Sequence, residues 1–192
     1  MHRPRTRREL LVVSAAAVAL SACGGGSKTT QPVTVSTTEA ETDAAVLNAL
    51  LDQEHSSIAA YGAIAAKLRG AALASVRTFA DQEREHADAL AAAIEKLGGT
   101  PAPPQPEQEY VRGFPRLRGE RDALSFALDV ETTAIAAYSD SLAKVATDPV
   151  RATLAAILVT ESEHAAVALG DLGRPQVPEP FVTGPPAQED TP

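Results

Sequence analysis

Two short motifs place a glutamate three residues before a histidine, a spacing that suits a metal ion. They are Glu83-x-x-His86 and Glu161-x-x-His164. Residues three apart in a helix lie on one face, so the carboxylate and the imidazole of each pair can reach the same ion. Each motif alone is weak evidence, because a Glu and a His at this spacing also fit a solvated helix surface.

Two further glutamates, Glu54 and Glu131, interrupt apolar stripes of helical periodicity in the same way. All four glutamates stand where the spacing of the stripe demands a buried residue, near the middle of a predicted helix. A lone buried carboxylate costs several kcal/mol unless it is paired or bound to metal. No Lys or Arg stands at a matching stripe position, so we expect metal ions to be the partners of these carboxylates.

The two halves of the chain repeat this pattern. Glu54-x6-Tyr61 recurs 77 residues later as Glu131-x6-Tyr138, and the Glu-x-x-His motif recurs after 78 residues. The flanking sequences also match, SIAAYG with AIAAYS and EREHA with ESEHA. An internal duplication of a helix pair follows from this repeat.

Four segments rich in Ala and Leu carry these residues, and their periodicity predicts four helices. We expect the helices over about residues 43–69, 72–97, 120–146 and 147–170. Thr147 followed by Pro149 favours a helix start at this point, with Thr147 as the capping residue. Tight turns join the first helix to the second and the third helix to the fourth.

Residues 99–119 separate the second and third predicted helices and hold five prolines, which indicates an irregular linker. A helix of about 26 residues is roughly 39 Å long, whereas about 20 extended residues reach roughly 66 Å. The linker can therefore cross the whole bundle. The sequence predicts an all-α fold, an antiparallel four-helix bundle with one long crossover between helices two and three.

The arrangement of these residues resembles the ferritin-like superfamily, whose di-iron and di-manganese proteins show Glu, Glu-x-x-His, Glu, Glu-x-x-His along the chain. The resemblance spans about residues 43–172 and is closest to the bacterioferritin and rubrerythrin type of site. Within it, EREHADALAAAIEKLGGTPAPP resembles small secreted ferritin-like domains of bacteria. The metal ligands that it implies are Glu54, Glu83, His86, Glu131, Glu161 and His164.

The same resemblance implies two iron or manganese ions, each served mainly by one half of the chain, with one or two carboxylates bridging. Tyr61 and Tyr138 would hydrogen-bond ligand carboxylates. The implied activity is redox chemistry with dioxygen or peroxide, of ferroxidase or peroxidase type, or metal handling. Disproportionation of peroxide, as in manganese catalases, is an alternative. A non-enzymatic scaffold or interaction module with a degenerate metal site is another.

The N-terminal region predicts export and lipid attachment. Four arginines precede an apolar run over residues 10–22, which is too short to span a bilayer and is flanked as a signal peptide should be. The sequence LSAC at residues 20–23 resembles the lipobox of bacterial lipoproteins. We therefore expect residues 1–22 to be removed and Cys23 to anchor the protein on the outer face of the cytoplasmic membrane. Residues 6–11, TRREL followed by Leu, resemble a twin-arginine signal, and the choice between the two export routes stays open.

The composition of the flanking segments predicts a tether and a tail. Residues 23–42 are rich in Gly, Ser and Thr and indicate a flexible tether, whereas residues 174–192 hold six prolines and indicate a disordered tail. The bundle is thus expected over residues 43–173.

Net charge and cysteine content exclude some classes of binding partner and cofactor. Without residues 1–22 the chain carries 13 basic and 24 acidic residues, a net charge of −11. This charge disfavours nucleic acid and anionic lipid, so the lipid anchor is the expected contact with the membrane. Cys23 is the only cysteine, which leaves no rubredoxin-like electron donor or disulfide within one chain. A homodimer through the outer faces of the bundle stays open.

Overall fold

The computed structural model describes residues 36–181, which form four long helices and one short helix. The helices are, in order, α1 (Thr37–Ala65), α2 (Gly70–Lys96), α3 (Glu107–Val111), α4 (Glu120–Leu142) and α5 (Asp148–Asp171). No strand occurs between residues 36 and 181. The predicted all-α bundle with one long crossover is confirmed. Cys23, the apolar run before it and most of the predicted tether lie outside the described residues, as do residues 182–192 of the predicted tail.

The first helix begins earlier than the sequence predicts, so residues 37–42 belong to α1 and not to a tether. Its start is a capping box. The Glu39 amide donates to Ser36 Oγ at 3.2 Å, and the Ser36 amide donates to Glu39 Oε2 at 3.0 Å. This reciprocal pair satisfies two backbone donors that a helix start otherwise leaves free. Composition alone missed it, because Thr and Glu are as typical of linkers as of exposed first turns.

The end of α4 differs from the prediction, whereas α5 begins directly after Thr147, as predicted. The helix predicted to run to residue 146 ends at Leu142, and the hydroxyl of Thr147 makes no capping hydrogen bond. Instead, the amides of Ala146 and Thr147 each donate at 2.9 Å to the carboxylate of Asp43, which is fully buried. Asp43 therefore replaces the last helical turn with a loop that is tied to α1.

Each long helix is antiparallel to the two other long helices that it contacts. α1 packs against α2 and α4, and α5 packs against α4 and α2. The start of α1 thus lies beside the end of α4 at Asp43, and beside the end of α2 at Gly99. A Cβ added to Gly99 would lie 3.0 Å from Ala44 Cβ, so a side chain at this turn would crowd the start of α1.

The crossover runs along α1 and is fastened to it at two points. Asn48 donates to the Thr100 carbonyl at 3.2 Å and accepts from the Ala102 amide at 2.7 Å. Farther along, the Tyr110 hydroxyl donates to Asp52 at 2.8 Å. The segment predicted as an irregular linker therefore contains one helical turn, α3, which places Tyr110 against α1.

The core is divided into three layers along the bundle axis. One apolar cluster, which includes Leu47 and Leu90, fills one end, and a second cluster, which includes Ile64 and Val76, fills the other. Buried acidic and basic side chains separate the two clusters. This layer holds the predicted ligands Glu54, Glu83, His86, Glu131, Glu161 and His164.

Within residues 36–181, α5 is long and apolar enough by length and composition to cross a membrane, with a mean hydropathy of 1.3 over its most apolar window. Core helices of soluble bundles share this property. α5 packs against α4 and buries Ile157, Glu161 and His164, as a bundle helix does.

Candidate metal centre

Each long helix contributes one glutamate to the polar layer, and α2 and α5 add one histidine each, one turn later. The glutamates are at most 1 % exposed, whereas His86 is 8 % and His164 is 3 % exposed. The apolar residues of the stripes on either side bury these positions. The structure therefore brings all six predicted ligands together.

The six side chains form two overlapping groups of four, and in each group one ligand atom per residue lies within 4.8 Å of the others. Glu54 and His86 belong to the first group alone, and Glu131 and His164 belong to the second group alone. Glu83 and Glu161 belong to both groups. The glutamates of the two Glu-x-x-His motifs are thus the shared carboxylates, which the sequence left undecided.

The oxygens of the shared carboxylates divide evenly between the groups. Glu83 Oε2 and Glu161 Oε1 lie 3.6 Å and 3.0 Å from His86 Nδ1. Glu83 Oε1 and Glu161 Oε2 lie 3.5 Å and 3.6 Å from His164 Nδ1. Each shared carboxylate therefore presents one oxygen to each group, which is the orientation of a bridging ligand.

Two tyrosines hold the unshared carboxylates from across the bundle. The Tyr61 hydroxyl on α1 donates to Glu131 Oε1 on α4, and the Tyr138 hydroxyl on α4 donates to Glu54 Oε1 on α1. Each half of the repeat thus orients the glutamate of the other half. Oε2 of both glutamates stays free and faces the histidines.

Eight ligand atoms of this layer have no hydrogen-bond partner. They are both oxygens of Glu83 and Glu161, Oε2 of Glu54 and Glu131, and Nδ1 of His86 and His164. These atoms face one another, and each histidine Nδ1 lies 3.0–3.8 Å from three of the carboxylate oxygens. Two sets of four donors fit a pair of divalent ions, which would give each buried atom a partner.

The histidines carry the positive charge of the layer when no metal is bound. Burial lowers the pKa of His86, but interaction with Glu161, Glu54 and Glu83 outweighs burial and raises this pKa to about 11. Burial likewise lowers the pKa of His164, and its neighbouring carboxylates, Glu131 foremost, raise it to about 11. Among residues 36–181, no Lys or Arg forms an ion pair with the four glutamates.

The carboxylates fall into two kinds. Burial raises the pKa of Glu83, but the two histidines outweigh it and lower this pKa to about 2. The same opposition lowers the pKa of Glu161. At Glu54 and Glu131 burial dominates, and the pKa stands well above its usual range. In the metal-free layer, the two positively charged imidazolium groups thus lie beside the two negatively charged shared carboxylates.

Two contacts of His164 were not predicted. Its Nε2 lies 2.7 Å from Gln82 Oε1, and its ring stacks on Phe79 with the centroids 4.1 Å apart and the planes at 28°. Gln82 stands beside the apolar stripe of α2, so periodicity gives no reason to select it. Phe79 lies in the stripe and reads as an ordinary core residue.

Three further titratable residues near the motifs lie outside both groups. Glu85 and Glu163 are exposed, and His55 is half-buried. They resemble the ligands in type but not in position, which makes the exposed glutamates useful controls.

A family model of the ferritin-like domain matches residues 42–173, which is more than half of the chain. The chain belongs to the ferritin-like domain family. At the centre of its bundle lies the buried cluster of Glu and His described above, which is compatible with a metal site.

Solved structures share this fold. A ferritin-like diiron-carboxylate protein from Bacillus anthracis is 23% identical, with a TM-score of 0.59 over 70% of this chain and 97% of that chain. A dodecameric thioferritin, the bacterioferritin-related protein of Bacteroides fragilis, is 23% identical, with a TM-score of 0.61 over 70% of this chain and 86% of that chain. A conserved hypothetical protein from Mycobacterium tuberculosis is 20% identical, with a TM-score of 0.59 over 67% and 95%. A comparison with curated proteins found no match.

Proposed function

We propose that this ferritin-like bundle binds two iron or manganese ions in its polar layer and uses them for redox chemistry with dioxygen or peroxide, or for metal handling. The observation that carries the proposal is the set of eight partnerless ligand atoms, arranged as two overlapping groups. Four carboxylates and two imidazoles form a hard-to-borderline donor set that suits iron or manganese and lacks the thiolates of structural zinc sites.

The proposed ligands divide as the two groups do. Glu54 and His86 would hold one ion, Glu131 and His164 would hold the other, and Glu83 and Glu161, which belong to both groups, would serve both. Two redox-active ions, when bound side by side, supply electrons in pairs to a small oxidant. With four protein donors in each group, the site would keep positions open for that oxidant.

Other residues of the chain prepare the layer for this chemistry. Tyr61 and Tyr138 hold Glu131 and Glu54, each by one oxygen, so that the second oxygen faces the ion. The two apolar clusters exclude bulk water from both ends of the layer. Nδ1 of both histidines must release its proton before it can bind an ion.

The source of electrons lies outside the bundle. Cys23 is the only cysteine, so the chain offers no rubredoxin-like cluster. Repeated turnover of peroxide therefore needs an external reductant, whereas ferrous iron supplies its own electrons when it is the substrate.

Metal analysis and ferrous oxidation test the proposal. We expect the purified protein to bind about two ions per chain and to oxidise Fe(II) under air. Glu83→Ala removes a shared ligand and is expected to abolish both properties. Glu85→Ala, at an exposed glutamate two residues along the same helix, is the matched control and is expected to behave like the parent protein.

The opposite results are equally clear. Absence of bound metal in the parent protein, with no difference between the two variants, would contradict the proposal and favour a non-enzymatic scaffold. Release of oxygen from peroxide without a reductant would identify the chemistry as disproportionation.

We further propose that the protein is anchored to the cell envelope through lipid on Cys23. The support is the sequence LSAC at residues 20–23, preceded by an apolar run and four arginines. In a bacterial host the protein is expected in the membrane fraction, and Cys23→Ser is expected to release it from the membrane. Ser27→Ala, four residues into the predicted tether, is the control. Retention of Cys23→Ser in the membrane would refute the anchor.

A further inference from the structure

The repeat of the two helix pairs breaks at two positions beside the histidines. Gln82 precedes Glu83 on α2, and the position 78 residues later is Thr160. Phe79, one turn before Glu83, corresponds to Ile157. Because Gln82 and Phe79 both contact His164, the repeat places Thr160 and Ile157 at the corresponding positions beside His86. The two histidines therefore have different surroundings.

His164 is held in one orientation. Gln82 Oε1 is an acceptor, so Nε2 of His164 donates to it across 2.7 Å and Nδ1 is the nitrogen left for an ion. That Nδ1 lies 3.4 Å from Glu131 Oε2 and 3.5 Å from Glu83 Oε1. The stacked ring of Phe79 limits rotation of the imidazole, and only 3 % of the His164 side chain is exposed.

His86 lacks both supports. The Thr160 hydroxyl is too short to take the place of Gln82, and it donates within its own helix to the Ala156 carbonyl at 3.5 Å. Within residues 36–181, Nε2 of His86 makes no hydrogen bond to another protein group. The His86 side chain is 11 % exposed, and the nearest aromatic ring is His164, with centroids 6.4 Å apart.

We propose that the two ion positions are unequal, and that Gln82 is the positioning residue that makes them so. The position served by His164 fills first and retains its ion, whereas the position served by His86 binds more weakly and exchanges its ion with solvent. This inference rests on the proposed function. A hydrogen bond to the second nitrogen of a ligating histidine fixes its tautomer and its orientation, and loss of such a bond typically costs 10–100-fold in metal affinity.

The inequality gives the two positions different roles. Glu83 and Glu161 belong to both groups, so an ion retained beside His164 would also hold these carboxylates in place for the second ion. The ion at the His86 position would then behave as a substrate. It would be a Fe(II) or Mn(II) ion that binds from solvent after the His164 position is filled.

Anaerobic calorimetric titration of the full-length protein with Mn(II) tests the inference. We expect two binding events whose affinities differ by about 10–100-fold. His86→Ala should retain the tighter event, and His164→Ala should retain only the weaker one. Gln82→Ala should weaken the tighter event by about 10–100-fold, so that the two affinities converge. Thr160→Ala is the matched control and should change neither event.

Two further measurements separate positioning from a general loss of structure. Gln82→Glu keeps an acceptor at the same place and should preserve the tighter event. In the Co(II)-loaded protein, the Nε2 proton of His164 should give a shifted NMR signal that exchanges slowly with water and disappears in Gln82→Ala. Metal-free Gln82→Ala should still unfold in one cooperative transition, with only the loss of stability that removal of one buried hydrogen bond brings.

The outcomes distinguish this inference from the proposed function. Two ions of equal affinity in the parent protein, or a Gln82→Ala variant with unchanged affinities, would overturn the inference and leave the di-metal site standing. Absence of Mn(II) and Fe(II) binding in the parent protein would instead overturn the proposed function.

Discussion

The proposed metal chemistry depends on how each oxygen of four buried glutamates is used. Glu54 and Glu131 give one oxygen to a tyrosine and keep one for the ligand set. Glu83 and Glu161 give both oxygens to the ligand set. The four glutamates thus supply six oxygens, and one nitrogen from each histidine brings the total to eight donor atoms from six residues.

Removal of one tyrosine hydroxyl tests this division. Tyr138→Phe leaves Glu54 Oε1 buried without a donor, so the free energy of unfolding of the metal-loaded protein should fall by about 1–3 kcal/mol. Denaturant titration measures the change. Tyr110→Phe removes a hydroxyl that bonds Asp52 near the surface and should cost about 0.5–1.5 kcal/mol. A smaller loss in Tyr138→Phe than in Tyr110→Phe would contradict the role assigned to Tyr138.

The protonation of the histidines predicts how metal affinity depends on pH. With pKa values of about 11, His86 and His164 are both protonated at pH 7 when no metal is bound. Ion binding at Nδ1 displaces one proton from each ring, so the affinity rises with pH and falls in acid. Calorimetry at pH 7 in buffers of different ionisation enthalpy should show at least two protons released per two ions. Release of fewer than one proton would contradict the assigned charges.

At the scale of the helices, polar side chains of α1 hold the two longer connecting segments in place. Asn48 and Asp52 fasten the crossover to α1. Asp43 fastens the loop between α4 and α5 to the start of the same helix. α1 is therefore the helix against which both of the longer connections are positioned.

Loss of the Asp43 carboxylate should destabilise the loop between α4 and α5. Asp43→Ala leaves the amides of Ala146 and Thr147 without their acceptor, and each hydrogen bond to a charged group contributes about 1.5–3 kcal/mol. We expect the free energy of unfolding to fall by about 3 kcal/mol or more in denaturant titration. Asp140→Ala, at an exposed position of α4, should stay within about 0.5 kcal/mol of the parent protein. Equal stability of the two variants would refute the tie.

At the scale of the whole molecule, we expect the polar layer to lower the stability of the metal-free bundle. Two apolar clusters are separated by a layer of carboxylates and imidazoles that an apolar core does not need. Natural bundles keep such a layer at a cost, since replacement of buried ionic groups by apolar residues of similar volume is often stabilising.

Replacement of the whole layer should therefore stabilise the metal-free protein. In one variant the four buried glutamates become Leu, His86 and His164 become Met, and Tyr61 and Tyr138 become Phe. We expect an unfolding free energy about 1–4 kcal/mol above that of the metal-free parent, with no metal binding. Thermal and denaturant unfolding without metal measure the difference. A marked loss of stability would show that the polar layer itself holds the helices together.

The amino-acid sequence by itself determined the helical class, the crossover and the six residues of the buried cluster. Each of these follows from local spacing: a stripe of period 3.6, a glutamate within it, a histidine three residues later, and a linker rich in proline. Tyr61 and Tyr138 were marked by the repeat and by their place two turns after a glutamate. None of these inferences requires the distance between two helices.

Only the tertiary structure decided which carboxylates are shared, which tyrosine holds which glutamate, and which histidine Gln82 supports. These are relations between side chains on different helices: Tyr61 and Glu131 are 70 residues apart in the chain, and Gln82 and His164 are 82 apart. Helix packing sets such relations, whereas periodicity along one helix does not. The same holds for Asp43, whose acceptance of two amides more than 100 residues away ends α4 early. The buried cluster of Glu and His can thus be located from the sequence, but the different surroundings of its two histidines emerge only where the helices meet.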